Sequence, residues 1–300
     1  MVQCDILLRG QATQSLHGSR LLAYGKSTAR FAGDADAWLC RLFGVMQQAT
    51  APFSAMGDGL DATQGYWLHA DPVHLALMRD FFILHGTPHD LNPQHAQQMV
   101  ATLNQHFSGD GMQWFSPHPE RWYLRLDQPL PISTISKKLA IGKKISNKIS
   151  DDVNSAQYAT MLNEIQMLLH QHAANMTREE AGLLPLNSVW LWGAGSYDLP
   201  ALQPYTVVLA DEPLVKGLAG MLCQPLPDSA EYLPQQGNCL VVLDVKDEPQ
   251  IRQNWAMPLL DMLKSNKVQK LVLHLEQEQA VVSVALKRYD LWKFWRRWLN

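Results

Sequence analysis

From Tyr158 through Met161, Leu162, Ile165, Leu168 and Leu169 to His172, apolar positions recur three and four residues apart. That spacing puts them on one face of a helix at 3.6 residues per turn. Thr177 then opens a new turn, with Glu180 three residues on to complete a capping box and Gly182 as a stop. Beyond Pro185, the run Val189-Trp190-Leu191-Trp192 is too short for a helix and is bounded by Gly193 and Gly195, so it predicts a buried strand. Helix, capped turn, strand and glycine turn make half of an α/β unit.

Three later runs repeat the strand signal: Thr206–Ala210, Leu240–Val245 and Leu271–Leu275, with helical patterns at about 212–222 and 249–264. Strands without polar alternation are buried on both faces, which predicts an α/β fold, a mainly parallel sheet between helix layers. Ligands in such sheets sit outside the carboxyl ends of the strands, here Gly193 to Ser196, Asp211 and Glu212, and Asp244 and Asp247, with Lys216 as a further candidate.

The first half is less regular. Cys4–Leu8 suits a first strand, and Gly10–Gly33 reads as a surface connection. A short helix from Asp36 would bury Trp38, Leu39, Leu42 and Phe43, and Ala51–Gly65 reads as loop. Tyr66-Trp67-Leu68 reads as a strand, and Asp71-Pro72 as a cap before a short helix or second strand. Leu91–Phe107 is amphipathic, and Gln113–Ser116 with Arg121–Leu126 bracket Pro117-His118-Pro119-Glu120 as an additional hairpin region. Lys137, Lys138, Lys143, Lys144 and Lys148 crowd a segment with few large apolar residues. This predicts an N-terminal α/β lobe with the hairpin at 1–135, a linker-like segment at 136–155 and a C-terminal α/β lobe at 156–300; one continuous domain is the alternative.

Composition narrows the class. The 300 residues, 47% hydrophobic, suffice for a sizeable core, and a net charge of −3 gives no reason to expect nucleic acid. Cys4, Cys40, Cys223 and Cys239 have no paired spacing, which fits unpaired thiols in a cytoplasmic protein. No run approaches the roughly 20 apolar residues of a membrane span.

His69, Asp71 and His74 form an H-x-D-x-x-H pattern in the range of metal-ligand spacings. The competing readings are a turn cap with two hydrogen-bonded histidines, and a polar ligand pocket that includes Arg79. Arg121 and Arg125 suit solvated strand faces or an anion-facing pair. Gly193-Ala194-Gly195 does not continue into a dinucleotide fingerprint, because Asp198-Leu199-Pro200 intervenes. Asp211 is most economically a helix cap. No Gly-x-Ser-x-Gly elbow is present. The tail Lys287–Asn300 is a basic helix pattern with three tryptophans, fit to dock on its own domain or a second subunit, or to lie on an anionic surface.

His172, Asn175, Arg178, Asn187, Leu191, Gly193 and Gly195 together resemble a segment of the archaeal-type cofactor-independent phosphoglycerate mutases. With Ala70-Asp71-Pro72-Val73-His74-Leu75, they resemble more closely a bacterial family of degenerate relatives known as regulatory protein RpfE. The resemblance implies an alkaline-phosphatase-like α/β fold. In working mutases of that kind two divalent metals and a serine nucleophile move phosphate between hydroxyls. The chain departs from that pattern: no Asp-Gly-x-x-Asp ends an amino-terminal strand, Leu271–Leu275 runs into Glu276-Gln277-Glu278 rather than Asp-His, and no histidine precedes His274 in the late strands. The expectation is therefore a catalytically degenerate relative with a regulatory or ligand-binding role and no metal or cofactor. Its candidate ligand residues are His69, Asp71, His74, Arg79, His172, Asn175, Arg178, Asn187, Gly193, Gly195 and Asp211, and its candidate partners a small phosphorylated metabolite, a protein, or a second copy through the tail. The alternatives are an active metal-dependent phosphomutase or phosphatase built on His69, Asp71 and His74, and a scaffold acting through the tail.

Overall fold

In a computed structural model, the described residues are 3–10, 20–45, 49–78, 81–130, 135–146, 153–234, 236–245 and 248–292. The chain forms two compact units, Met1–Met46 with Leu199–Asn300, and Gln47–Asp198. The Lys-rich segment thus falls inside the second unit rather than between two lobes.

The first unit is built on β1 (Gln3–Gly10), β2 (Lys26–Ala32), β10 (Val207–Leu209), β11 (Cys223–Gln224), β12 (Asn238–Val245), β13 (Lys270–Gln277) and β14 (Ala280–Lys287), in the sheet order β11-β10-β12-β1-β13-β14-β2. The pairs from β11 to β13 are parallel, and β14 and β2 are added antiparallel. One face of the sheet is apolar: Cys4, Ile6 and Leu8, Cys239, Val241 and Leu243, and Leu271, Leu273 and Leu275 pack with Trp255, Leu259 and Leu263. The last two lie on α7 (Met257–Lys264), preceded by a π-helical turn, Arg252–Ala256. Pro258 lacks the N–H that would bond four residues back, which suits a widened turn just ahead of it.

The opposite face carries the polar residues. Register aligns Leu7 with His274 and His274 with Ser283, so Asp5, Leu7 and Arg9 share a face with Val272, His274, Glu276 and Ser283. Trp38, on α1 (Ala35–Leu42), lies with its ring 4.5 Å from that of His274. Asp34 caps α1 by accepting from Ala37 N at 2.9 Å. The stretch read as a surface connection contains β2, an edge strand exposed along most of its length. With neither face buried, it has no apolar alternation to reveal it.

The second unit contains β3 (Tyr66–Val73), β4 (Leu75–Leu77), β5 (Phe81–Leu84), β6 (Met112–His118), β7 (Arg121–Leu126), β8 (Lys144–Ser146) and β9 (Ser188–Gly195). Its main sheet, in the order β6-β7-β3-β9, is antiparallel throughout, and β4-β5-β8 form a smaller antiparallel sheet. This corrects the placing of Val189–Trp192 among the parallel strands. The run is apolar on both faces because Val189 and Leu191 enter the main core while Trp190 packs with Val73, Leu84 and Ala140. The expected hairpin is present, and its turn narrows to Pro119-Glu120, since His118 pairs with Arg121.

Helices of this unit are α2 (Thr50–Gly57), α3 (Pro93–His106), α4 (Val153–His170) and α5 (Ala173–Glu180). Asn92 caps α3, its Oδ1 accepting from Gln94 N at 2.8 Å. The loop expected at 51–65 begins instead as α2, where Pro52 occupies the first turn and needs no N–H partner. Asp71 and Pro72 lie inside β3 rather than at a helix start. Pro72 falls beyond the part of β3 that pairs with β7, so one edge there needs no donor. α5 starts at Ala173, not at Thr177, because His172 Nδ1 accepts from Ala174 N. Thr177 Oγ1 instead donates back to Ala173 O. Among the described residues no helix is long and apolar enough to cross a membrane.

Candidate functional site

On the α2 side of the second unit's main sheet, β3 places His69 and Asp71 two residues apart and therefore side by side. The His69 ring stacks on Trp192 at 4.0 Å, and its Nε2 lies 3.2 Å from Thr50 Oγ1. Asp71, 3% exposed, accepts from Trp192 Nε1 at 2.8 Å and pairs with Lys137 Nζ at 3.2 Å. His74 does not join them. Its Nδ1 donates to Pro185 O at 2.9 Å, and its ring meets His85 edge-on. The spacing suggested three convergent ligands; the strand ends at Val73, and the chain carries His74 to a different neighbour. Arg79 lies outside the described residues. Sequence reading missed Thr50, whose only signal is its place at the start of α2.

Asp58, following α2, accepts from Arg121 Nε and Nη2 at 3.0 and 2.8 Å and from Tyr123 Oη at 2.8 Å. Burial, reinforced by the Asp58 carboxylate, pushes the Tyr123 hydroxyl well above the usual tyrosine range. Arg125 lies 3.5 Å from Asp127, so neither arginine is held out toward an anion.

The residues that carry the family resemblance brace loops. Asn175, 1% exposed, donates to Leu169 O and Leu186 O at 2.6 and 2.7 Å and accepts from Leu186 N at 2.8 Å. Arg178, 4% exposed, donates to Leu184 O, Asp90 O and His89 O. Asn187 accepts from Leu75 N at 2.8 Å and donates to Leu75 O at 2.9 Å, extending the pairing at β4. Gly193 has φ +63°, and a Cβ there would lie 2.3 Å from Thr50 Oγ1 and 2.8 Å from His69 Cδ2. Gly195 pairs with Trp67 across β9 and β3.

The first unit gathers its charge at the carboxyl ends of the parallel strands. Arg9, at the end of β1, donates from Nη2 to Asp36 Oδ1 at 2.6 Å and from Nη1 to Glu212 Oε2. Its Nε lies 3.9 Å from Glu276 Oε2, which also accepts from Gly10 N at 2.9 Å. Burial works against the guanidinium's charge, but the three carboxylates outweigh it and hold its pKa above the ordinary arginine value. Glu212 sits at the start of α6 (Pro213–Ala219), and burial together with Asp36 and Asp244 raises its pKa despite Arg9. Asp211 is not the helix cap; its Oδ1 accepts from Leu226 N at 3.3 Å. It lies in a different unit from the other described candidates.

Deeper on the same face, Asp5 accepts from Tyr205 Oη at 2.7 Å and from Gln3 Nε2 at 3.0 Å. His274 Nδ1 lies 2.8 Å from Ser283 Oγ, and its Nε2 is 3.8 Å from Asp5 Oδ2. Burial alone would raise the Asp5 pKa; the nearby His274 ring and the hydrogen bonds from Tyr205 and Gln3 overcome it and hold the carboxyl below its usual value.

The donor set among the described residues does not fit the two-metal chemistry that the resemblance implies. Among the described residues no group of three or more His, Cys, Asp or Glu side chains is arranged to hold a metal ion. β1, the middle strand of its sheet, ends in Arg9-Gly10.

No family model matches the chain. Over 102 residues it is 28% identical to the 2,3-bisphosphoglycerate-independent phosphoglycerate mutase of Methanosarcina barkeri, a match covering 31% of this chain and 25% of that protein. The chain therefore spans about a quarter of the length of that curated relative. The PH0037 protein of Pyrococcus horikoshii has the same fold, with TM-score 0.55 and 13% identity over 95% of this chain and 87% of its own. A cofactor-independent phosphoglycerate mutase of Thermoplasma acidophilum matches at 16% identity over 95% and 89% of the two chains, with TM-score 0.41. The class so defined is a mixed α/β protein of alkaline-phosphatase-like fold, with a large, mainly parallel sheet flanked by helices. Within that class, the chain has weak sequence homology to cofactor-independent phosphoglycerate mutases.

Proposed function

We propose that the protein is a non-catalytic relative of cofactor-independent phosphoglycerate mutases that works by binding, in the regulatory manner implied by its resemblance to RpfE proteins. The observation that carries this reading is the chemistry at the carboxyl ends of the parallel strands. Among the described residues, the side chains there include Arg9, Asp211, Glu212, Asp244, Glu276 and Gln277. Phosphoryl transfer of the family kind requires a hydroxyl nucleophile beside metal-ligating histidines and carboxylates. His274 is the one histidine among the described residues of this unit, and it is 7% exposed, paired with Ser283 and facing Asp5. The residues of the resembling segment support the same reading, because Asn175, Arg178 and Asn187 serve backbone groups.

The test is a mutase and phosphatase assay on the full chain with 3-phosphoglycerate and Mn²⁺. The expected result is no turnover above a protein-free control. Metal-dependent turnover abolished by His69→Ala would overturn the proposal in favour of an active phosphomutase.

A further inference from the structure

The Arg9 cluster has a geometry that distinguishes a built-in cation from a bound one. Three oxygens from three separate elements approach three different nitrogens: Asp36 of α1 at Nη2, Glu212 at Nη1 and Glu276 of β13 at Nε. Oxygens set in this way surround an object the size and shape of a guanidinium. A divalent ion instead needs six or more oxygens, or four mixed donors, converging on one point. The Arg9 side chain is 15% exposed and Glu276 5%, so the positive charge is fixed inside the protein rather than drawn from solvent. Arginine suits this role because its guanidinium is always charged and offers five donors in a rigid fork.

We infer that Arg9 is the resident cation of the carboxyl-end cluster, standing where the family's chemistry calls for a divalent ion, so that the protein takes no such ion there. One guanidinium faces three carboxylates, and Asp244 adds to their field at Glu212. Among the described residues the carboxylates at this cluster outnumber the cation. The inference rests on reading the chain as a phosphoglycerate-mutase relative, and it gives that reading a structural cause: the central strand carries its own cation.

The full-length protein, stripped of metal and titrated with Mn²⁺, provides the test by electron paramagnetic resonance of free Mn²⁺ and by thermal melting. Wild type is expected to leave the Mn²⁺ free and to melt alike in Mn²⁺ and in chelator. Arg9→Met is expected to lower the melting temperature by several degrees, because three carboxylates lose their counter-charge, and Arg9→Met with Glu212→Gln to recover part of that loss. Should Arg9→Met fail to fold, Glu212→Gln alone in wild type still reads the cluster, and it is expected to bind no Mn²⁺. Stoichiometric Mn²⁺ on wild type that Glu276→Gln releases would overturn the inference, as would an Arg9→Met protein that melts like wild type. Turnover without Mn²⁺ at this cluster would defeat the proposed function alone. Mn²⁺ held here without turnover would defeat this inference alone.

Discussion

Asn175 pairs with Leu186 as one strand pairs with another, its side-chain amide donating to the Leu186 carbonyl and accepting from the Leu186 N–H. A third bond, to Leu169 O, ties the end of α4 to the same amide. Both residues are buried, so water cannot replace what a truncation removes. Asn175→Ala is expected to cost about 3 kcal/mol, from stranded backbone groups at roughly 1–3 kcal/mol each. The urea midpoint of the full chain measures it, and a change under 1 kcal/mol would show that the loop finds other partners.

Arg178 spans the carbonyls of Leu184, Asp90 and His89 with one planar group. A lysine has the charge but not the fork. Arg178→Lys is expected to destabilise by about 2 kcal/mol, the loss of one or two charge-assisted bonds. Limited proteolysis is the sharper check, with new cuts expected near 89–90 and 183–185.

Gly193 is required twice, by its positive φ and by the approach of Thr50 and His69. Gly193→Ala is expected to cost more than the roughly 1–2 kcal/mol of left-handed backbone strain alone. Combining it with Thr50→Ala removes the hydroxyl that the new methyl would meet and is expected to restore part of the loss in thermal melting. Equal losses with and without Thr50→Ala would place the cost in the backbone and in the contact with His69.

The Asp5 carboxyl has a folded pKa below its unfolded one, held there against burial by His274, Tyr205 and Gln3, with the Cys4 and Cys239 thiols close by. The unfolded chain therefore binds the Asp5 proton first as acid is added. The stability this contributes is present above the unfolded pKa, about 4, and is lost as pH falls through the folded value. Asp5→Asn is expected to flatten the fall of the urea midpoint below pH 4. An unchanged slope would mean that other carboxyls govern acid unfolding.

Much of the fold was legible where an apolar run is unbroken, alternation is clear or capping is local. The helix behind Asn92, the hairpin around Pro119-Glu120, and β12 and β13 all follow from pattern. β2 did not, because an edge strand wet on both faces has no period to read. β9 was read as a strand but assigned the wrong partners, because apolar residues on both faces do not reveal whether the neighbour runs parallel or antiparallel. The charged cluster was hardest: nothing in spacing links Arg9 to Asp36, Glu212 and Glu276. His74 departed in the opposite sense, since His69 and Asp71 share Trp192 while their neighbour in sequence turns to Pro185 and His85.

The order of β1 between β12 and β13 sets a timetable for biosynthesis. Cys4 aligns with Cys239 and Leu271, more than two hundred residues later in the chain. At about 5–20 residues per second, a ribosome needs on the order of ten seconds or more to supply those neighbours. During that interval the apolar side chains of β1 wait without their sheet, while residues 47–198 hold all the strands of their own unit. The inserted unit is therefore expected to be protease-resistant on stalled nascent chains before β1 is protected, and β1 is the segment that a chaperone has most reason to hold.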